Sequence, residues 1–305
     1  MKPNYIIISG TSKAATTSLF KYVADHPEVC PSYVKQTNYF LDSSDQERLD
    51  LKSIERYDED AKTYLNFYKC NGSEKYRLEA SPDYMNYTGA INKIKKFLES
   101  NEGDVVMILR EPVSRFKSWF NYGKQQNLLD DSVDFPSYYK KAKEYKGDDN
   151  LALLAYETGF YSNYIKEFYR SFDKKRVHIF FYEELISDPK SFMIKFSEKL
   201  KLNNEFYQDY DFKQYNKTIK VRFKTISWFY ASLRSFYMQH LFKGKAGVRF
   251  GNFLKNTLSP LYQKFNTKDV VDNRFDLETV NQLSQDYKEE LGHLRELLEI
   301  KKLPW

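Results

Sequence analysis

A loop of small and hydroxyl-bearing residues near the start of the chain has the composition of an anion-binding site. Gly10–Ser18 reads GTSKAATTS and joins a short apolar run, Tyr5–Ser9, to a segment with apolar residues at helical spacing. A helix that begins directly after a strand presents free N–H groups and a positive dipole end to an anion. Lys13 adds charge and the hydroxyls add donors. The sequence predicts a phosphate-binding loop; a plain strand–turn–helix connection is the alternative.

This loop differs from the Walker A loop of nucleoside-triphosphatases. In the pattern GxxxxGK[ST], counted from Gly10, Ala15 stands where the second Gly belongs and Thr16 where the Lys belongs. The lysine, Lys13, lies three positions earlier. The spacing therefore argues against an ordinary triphosphatase.

A second candidate phosphate site follows another apolar run, Asp104–Leu109. The segment Leu109–Ser118 reads LREPVSRFKS, so Arg110 leaves the strand end and Pro112 suits the first turn of a helix. The guanidinium of Arg110 offers a planar fork of donors, and Ser118 lies two turns along that helix. We expect these two side chains to hold one phosphate. A surface helix start rich in Arg and Glu is the alternative.

The two segments together resemble the sulfotransferases that use 3′-phosphoadenosine 5′-phosphosulfate (PAPS). Lys13–Leu19 is similar to that family's K-x-G-T-T/S-x-L loop, with Ala15 in place of the Gly, and Leu109–Ser118 fits every fixed position of its L-R-[DE]-P-x-x-R-x-x-S motif. Further similarities cover nearly the whole chain: E-x-[ST]-P-x-Y at Glu79–Tyr84, G-x-Y at Gly159–Tyr161 and the late strand Val177–Leu185.

The resemblance implies PAPS as the donor and adenosine 3′,5′-bisphosphate (PAP) as the product. Lys13 would neutralise charge on the leaving phosphate during an in-line transfer. No metal ion is expected to take part. The implied donor-binding residues are Lys13, Ala14, Ala15, Thr16, Thr17, Ser18, Arg110, Ser118 and Arg222.

A separate question is which residue takes the proton from the acceptor hydroxyl. Many members of the family use a Glu in a K-E-x-x-x-F segment, and the corresponding Lys35–Phe40 (KQTNYF) has Gln36 at that position. A Gln side chain can form hydrogen bonds but cannot accept a proton at neutral pH. Gln36 stays a candidate site residue, and Glu79 and Asp83 are candidate bases. For Glu79 the alternative is a structural carboxylate paired with a neighbour such as Arg77.

The order of the predicted elements indicates a single α/β domain over residues 1–305, with a central parallel sheet flanked by helices. Hydrophobic residues make up 41% of the 305 residues, so a packed core is available. Predicted strands at 5–9, 77–80, 104–109 and 177–182 alternate with helical patterns. These patterns include helices near 53–68 and over Leu277–Glu299.

The cysteines and the N-terminus suggest a cytoplasmic protein. Cys30 and Cys70 are too few for a disulfide framework and lack metal-ligand spacing. The first residues contain no apolar run of signal-peptide length, and no window resembles a membrane span. We therefore expect a reducing compartment.

The net charge of +6 is concentrated in one segment. Lys217–Lys268 contains eleven Lys and Arg, no Asp or Glu, and many interleaved aromatic residues. This pattern predicts an acceptor-side surface that makes peripheral contact with an anionic membrane or a polyanionic glycan. A solvated face over core aromatics is the alternative, and the family resemblance argues against nucleic acid.

The function predicted from these features is transfer of a sulfuryl group from PAPS to a hydroxyl, on a carbohydrate or glycolipid. A kinase-like nucleotide enzyme is one alternative, disfavoured by the missing Walker A lysine. A catalytically silent nucleotide- or polyanion-binding protein is another, suggested by Gln36.

Overall fold

A five-stranded parallel sheet forms the centre of the protein. The computed structural model describes residues 3–49, 51, 53, 55, 57–213, 219–221, 267–269 and 275–305. The strands of the sheet are β1 (Asn4–Gly10), β2 (Val29–Pro31), β3 (Tyr76–Ala80), β4 (Gly103–Leu109) and β5 (Val177–Phe181). They lie in the order β2-β3-β1-β4-β5, and every neighbouring pair is parallel. The predicted α/β class is confirmed.

Helices connect and flank these strands. They are α1 (Thr16–Ala24), α2 (Ser43–Arg48), α3 (Thr88–Glu99), α4 (Pro112–Gln125), α5 (Phe135–Glu144), α6 (Tyr161–Ser171), α7 (Tyr182–Ser187), α8 (Pro189–Leu200), α9 (Leu277–Asp286) and α10 (Lys288–Leu298). Short 3₁₀ turns lie at Thr63–Phe67, Pro82–Asn86, Leu153–Ala155, Glu157–Gly159, Lys174–Arg176 and Asn204–Tyr207.

Two helix predictions were wrong in part. In the stretch 53–68 the described residues form only the 3₁₀ turn Thr63–Phe67, because its aromatic residues insert into a cluster around Tyr39 rather than lining one helix face. The stretch Leu277–Glu299 is two helices that meet at Tyr287. The Tyr287 hydroxyl is held by the backbone oxygen of Tyr156 at 2.7 Å, which fixes this junction.

The core explains much of the aromatic content. Alternate residues of β1 pack on opposite faces of the sheet: Tyr5 and Ile7 join one buried cluster, Ile6 and Ile8 another. On the first face the rings of Tyr5, Tyr64 and Phe97 are in contact. A β1 that is buried on both faces can only be a near-continuous apolar run, which is why the sequence identified it.

Cys30, in β2, is bonded to Cys70 by a disulfide, with a Cα–Cα distance of 5.4 Å. Stable disulfides are typical of oxidising compartments. The cysteines therefore give no support to the expected reducing cytoplasm. Among the described helices, none combines the length and the apolar composition that crossing a membrane would demand.

The chain divides into two compact units. One comprises Met1–Tyr215 with Arg274–Trp305, and the other is Asn216–Asn273. In the second unit the described residues form an antiparallel pair, β6 (Ile219–Val221) with β7 (Thr267–Asp269). The rest of the predicted basic segment 217–268 lies outside the described residues, and a single domain over 1–305 stays a prediction.

Candidate functional site

Three loops meet at the carboxyl edge of the sheet. Adjacent strands β3, β1 and β4 are followed by residues 81–86, 11–15 and 110–111, respectively. The chain runs to one side of β1 for β2 and β3 and to the other for β4 and β5. Ligands of open α/β sheets bind at such a change of direction, beyond the carboxyl ends of the strands. The predicted phosphate loop and the Arg110 motif lie together at this point.

The backbone of the predicted phosphate loop is shaped for an anion. Lys13 and Ala15 both adopt left-handed conformations, with φ of 71° and 60°. Ala15 precedes α1 without a side-chain cap, and the first N–H groups of any α-helix point out of its N-terminus rather than into the helix. Backbone turns of this kind orient successive N–H groups towards one anion. A left-handed residue also explains why Gly is usual at the position of Ala15 in the resembling family.

Two lysines lie at this loop. The Lys13 ammonium lies 3.8 Å from the centre of the Tyr122 ring, and Lys35 Nζ donates to Thr16 Oγ1 at 3.3 Å. Burial, reinforced by Arg110, Lys35 and Arg115, lowers the pKa of Lys13 to about 8. Burial likewise lowers the pKa of Lys35 to about 8. Crowded cations with lowered pKa values indicate a site that is stabilised when an anion enters.

Arg110 links the second motif to the loop. Its Nη1 donates to the backbone oxygen of Lys13 at 3.1 Å, and its guanidinium lies over the Tyr182 ring at 4.4 Å. Its Nε is buried and has no hydrogen-bond partner among the described residues. An unpaired buried donor is costly, so a ligand acceptor here would be favoured.

Residues of the weaker motif similarities hold the backbone around Arg110 in place. The Tyr161 hydroxyl donates to the Arg110 backbone oxygen at 2.8 Å, and Glu183 accepts from the Glu111 backbone N–H at 3.0 Å. Glu111 in turn caps α4 by accepting from the backbone N–H groups of Val113 and Ser114. These residues therefore fix the direction in which Arg110 leaves β4.

Arg115, the second arginine of that motif, is a structural clamp. It is 1% exposed and donates to the backbone oxygens of Ser12 and Ala155 and to Thr158 Oγ1, at 3.0, 3.1 and 2.8 Å. It thus ties the phosphate loop to the turn before α6.

The remaining predicted site residues differ in position. Ala14 is buried in the core, so its side chain is not available to a ligand, and Ser118 is half-buried on α4. Gln36 is half-buried, and Arg222 lies outside the described residues.

Glu79, on β3, is fully buried beneath the site. Its Oε2 accepts from Thr37 Oγ1 and Ser81 Oγ, both at 2.9 Å, and burial raises its pKa to about 7. The suggested partner Arg77 instead donates to the Tyr5 hydroxyl. This burial favours a structural role; the catalytic role stays a prediction.

Sequence reasoning did not assign Lys35, Tyr122 or Tyr182 to the site. The signal for Lys35 was present, since it opens the segment that contains Gln36, but its contact with Thr16 depends on the chain path after β2. Within the described part of the chain, no group of three or more His, Cys, Asp or Glu side chains is arranged to hold a metal ion.

Comparison with known proteins identifies the family of the chain. A profile of the sulfotransferase domain matches residues 3–295. A sulfotransferase from Alicyclobacillus acidocaldarius has a similar structure, with a TM-score of 0.58 and 22% identity over 77% of this chain and 94% of that one. More distant are the sulfotransferase domain of the Synechococcus PCC 7002 olefin synthase (TM-score 0.42, 14% identity, 93% and 94% covered) and a mouse sulfotransferase complexed with PAP (0.44, 11%, 96% and 85%).

Among curated proteins no sequence matches the chain. The match of the domain profile nonetheless extends over all the motifs described above. The chain therefore belongs to the family of PAPS-dependent sulfotransferases.

Proposed function

We propose that the protein transfers a sulfuryl group from PAPS to a hydroxyl of a carbohydrate or glycolipid. The observation that carries this proposal is that Lys13, Lys35 and Arg110 all lie at the phosphate loop, at the carboxyl edge of the sheet. Such a site suits a ligand with two separated anionic groups, and PAPS has a 5′-phosphosulfate and a 3′-phosphate.

Each anionic group has its own set of residues. The first-turn N–H groups of α1, with Lys13, Lys35 and the hydroxyls of Thr16 and Thr17, would hold the 5′-phosphosulfate. Arg110 and Ser118 would hold the 3′-phosphate, since Arg110 has a buried N–H without a partner among the described residues. Arg222 is proposed as a further contact from its sequence position alone.

The chemistry required of these residues is mainly electrostatic. Sulfuryl transfer resembles phosphoryl transfer, in which positioning and charge stabilisation supply most of the rate. Lys13 and the loop N–H groups act where negative charge grows on the leaving phosphate. A cytoplasmic location, with peripheral contact to an anionic membrane or a polyanionic glycan through residues 217–268, stays a prediction. The Cys30–Cys70 disulfide does not favour the cytoplasmic location.

Calorimetric titration with PAP, in parallel with ATP, tests the proposal. We expect PAP to bind much more tightly than ATP, because the loop lacks the Walker A lysine and Arg110 matches a 3′-phosphate. ATP binding as tight as PAP binding would instead favour the kinase-like alternative.

A further inference from the structure

A cavity of about 200 Å³ adjoins the phosphate loop through two lining residues that are hydrogen-bonded to Ser12. Asp83 and Arg115 form part of its wall, together with Trp119, Tyr164 and Asn86. Asp83 also accepts a hydrogen bond from Ser12 Oγ at 3.0 Å, and Ser12 immediately precedes Lys13. One carboxylate therefore contacts both the cavity and the loop proposed to hold the donor.

The surroundings of Asp83 leave it available to a ligand. It is 3% exposed, and its Oδ2 accepts no hydrogen bond from the described residues. Glu79, by contrast, does not line the cavity, and its Oε2 is occupied by two hydroxyls.

We propose that the cavity binds the acceptor and that Asp83 takes the proton from the acceptor hydroxyl. This inference rests on the proposed function. The acceptor oxygen loses its proton to Asp83 as it forms the bond to sulfur. The bond between sulfur and the 5′-phosphate oxygen breaks, and its electron pair goes to that oxygen. The products are a sulfate ester and PAP, and Asp83 then releases the proton to solvent.

The wall of the cavity favours a ring that carries hydroxyls. Trp119 Nε1 and Asn86 Oδ1 are buried and have no partner among the described residues. A hydroxyl can satisfy either, because it both donates and accepts. Tyr87, Trp119 and Tyr164 add aromatic surface. The volume is below the roughly 300–1,000 Å³ of pockets for drug-sized ligands, so we infer that one sugar ring enters.

The surroundings of Asp83 have opposing effects on the pKa of its carboxyl group. Burial raises the pKa of Asp83 above its usual range, whereas Lys35, near the loop, and Arg115, on α4, act to lower it. Tyr122 also interacts with Asp83, and Asp148, Tyr87 and Tyr164 share its cavity. A base with a raised pKa accepts a proton more readily, and it is active only above that pKa.

The test uses the variant Asp83→Asn in the full protein. Asn keeps an acceptor for Ser12 but cannot take a proton. With PAPS as donor and a panel of methyl hexopyranosides as acceptors, we expect kcat to fall by roughly 10²–10⁴-fold. The decline of kcat/KM at low pH should disappear as well. Calorimetry should find PAP affinity no weaker, because a negative charge beside the cationic loop is removed.

Two further variants sharpen the result. Trp119→Phe keeps a ring but loses the N–H, so it should raise KM for the glycoside with little change in kcat. Asp60→Asn, the same substitution at an exposed surface position, should match the unmodified protein. If no glycoside reacts, the assignment of a sugar ring to the cavity is wrong, and hydrolysis of PAPS, with water as acceptor, still tests the role of Asp83.

Several outcomes would overturn the inference. One is an Asp83→Asn variant whose kcat and pH profile are unchanged. Another is that the decline of kcat/KM at low pH disappears in Glu79→Gln and not in Asp83→Asn. A third is an unmodified protein that binds PAP but transfers the sulfuryl group neither to a glycoside nor to water. Failure of the unmodified protein to bind PAP would be a different result, which contradicts the proposed function itself.

Discussion

At the scale of single residues, Lys13 and Lys35 determine how donor binding should depend on pH. Burial lowers the pKa of both to about 8, and neighbouring cations reinforce this shift at Lys13. The protonated forms bind an anion, so PAP affinity should fall as the pH rises through 8. We expect a weaker affinity at pH 9 than at pH 7 by calorimetry.

The variant Lys13→Arg provides the comparison for this dependence. Arginine stays charged over the whole range, so part of the loss at pH 9 should disappear. An identical pH dependence in both proteins would remove Lys13 from the site.

Lys13→Ala should greatly reduce kcat while the protein stays folded, because the half-buried side chain lies on a loop.

Glu79 should make the stability of the fold depend on pH. Its folded-state pKa, raised from 4.5 to about 7, means that the folded protein holds the proton more tightly than the unfolded chain. The free energy of unfolding should therefore decrease between about pH 4.5 and 7, by on the order of 3 kcal/mol. In Glu79→Gln this decrease should be absent from denaturant unfolding curves.

The result for Glu79→Gln also distinguishes its two possible roles. Parallel pH profiles in the two proteins would contradict the argument from burial. A collapse of turnover with unchanged stability would favour Glu79 as the catalytic base.

How far individual site residues could be predicted depended on whether their contacts are local. Lys13 and Arg110 belong to motifs that each follow a strand directly, so their meeting follows from the parallel sheet. The clamp role of Arg115 could not be predicted, because two of its three partners are backbone oxygens, of Ser12 and Ala155, that any sequence could supply.

At the scale of elements, Arg115 joins the phosphate loop to the turn before α6. Arg115→Lys keeps the charge but cannot reach three acceptors at once. We expect the free energy of unfolding to decrease by roughly 3 kcal/mol, the value of two lost charge-assisted hydrogen bonds. Thermal unfolding and PAP calorimetry should change together.

Arg170→Lys, at an exposed position on α6, is the matched control and should change neither property. If Arg115→Lys behaved like this control, the clamp would have no energetic importance.

Elements were predictable where burial imposes a pattern. Strands β1, β4 and β5 are apolar runs flanked by a loop or a helix start, and all three were identified from the sequence. β2 has three residues, too few to produce a pattern. The turn at Thr63–Phe67 has helical spacing of aromatics, but long-range packing around Tyr39 decides its conformation.

At the scale of the whole molecule, the Cys30–Cys70 disulfide closes a loop of 40 residues in sequence. Such a bond restricts the unfolded chain, and its removal typically costs about 2–4 kcal/mol. We expect Cys70→Ser to lower the melting temperature, and a reductant to lower that of the unmodified protein to a similar value. Two free thiols by titration of the unfolded, unreduced protein would contradict the bond.

The central claim, that Arg110 and the loop hold a nucleotide with a 3′-phosphate, is tested most directly by one calorimetric comparison. Arg110→Ala and the control Arg170→Ala are titrated with PAP and with adenosine 5′-phosphate. We predict that Arg110→Ala alone weakens PAP, by roughly 10–100-fold or about 1.5–3 kcal/mol, and leaves adenosine 5′-phosphate nearly unchanged. An equal loss for both nucleotides would contradict the account, because it would mean that Arg110 does not contact the 3′-phosphate.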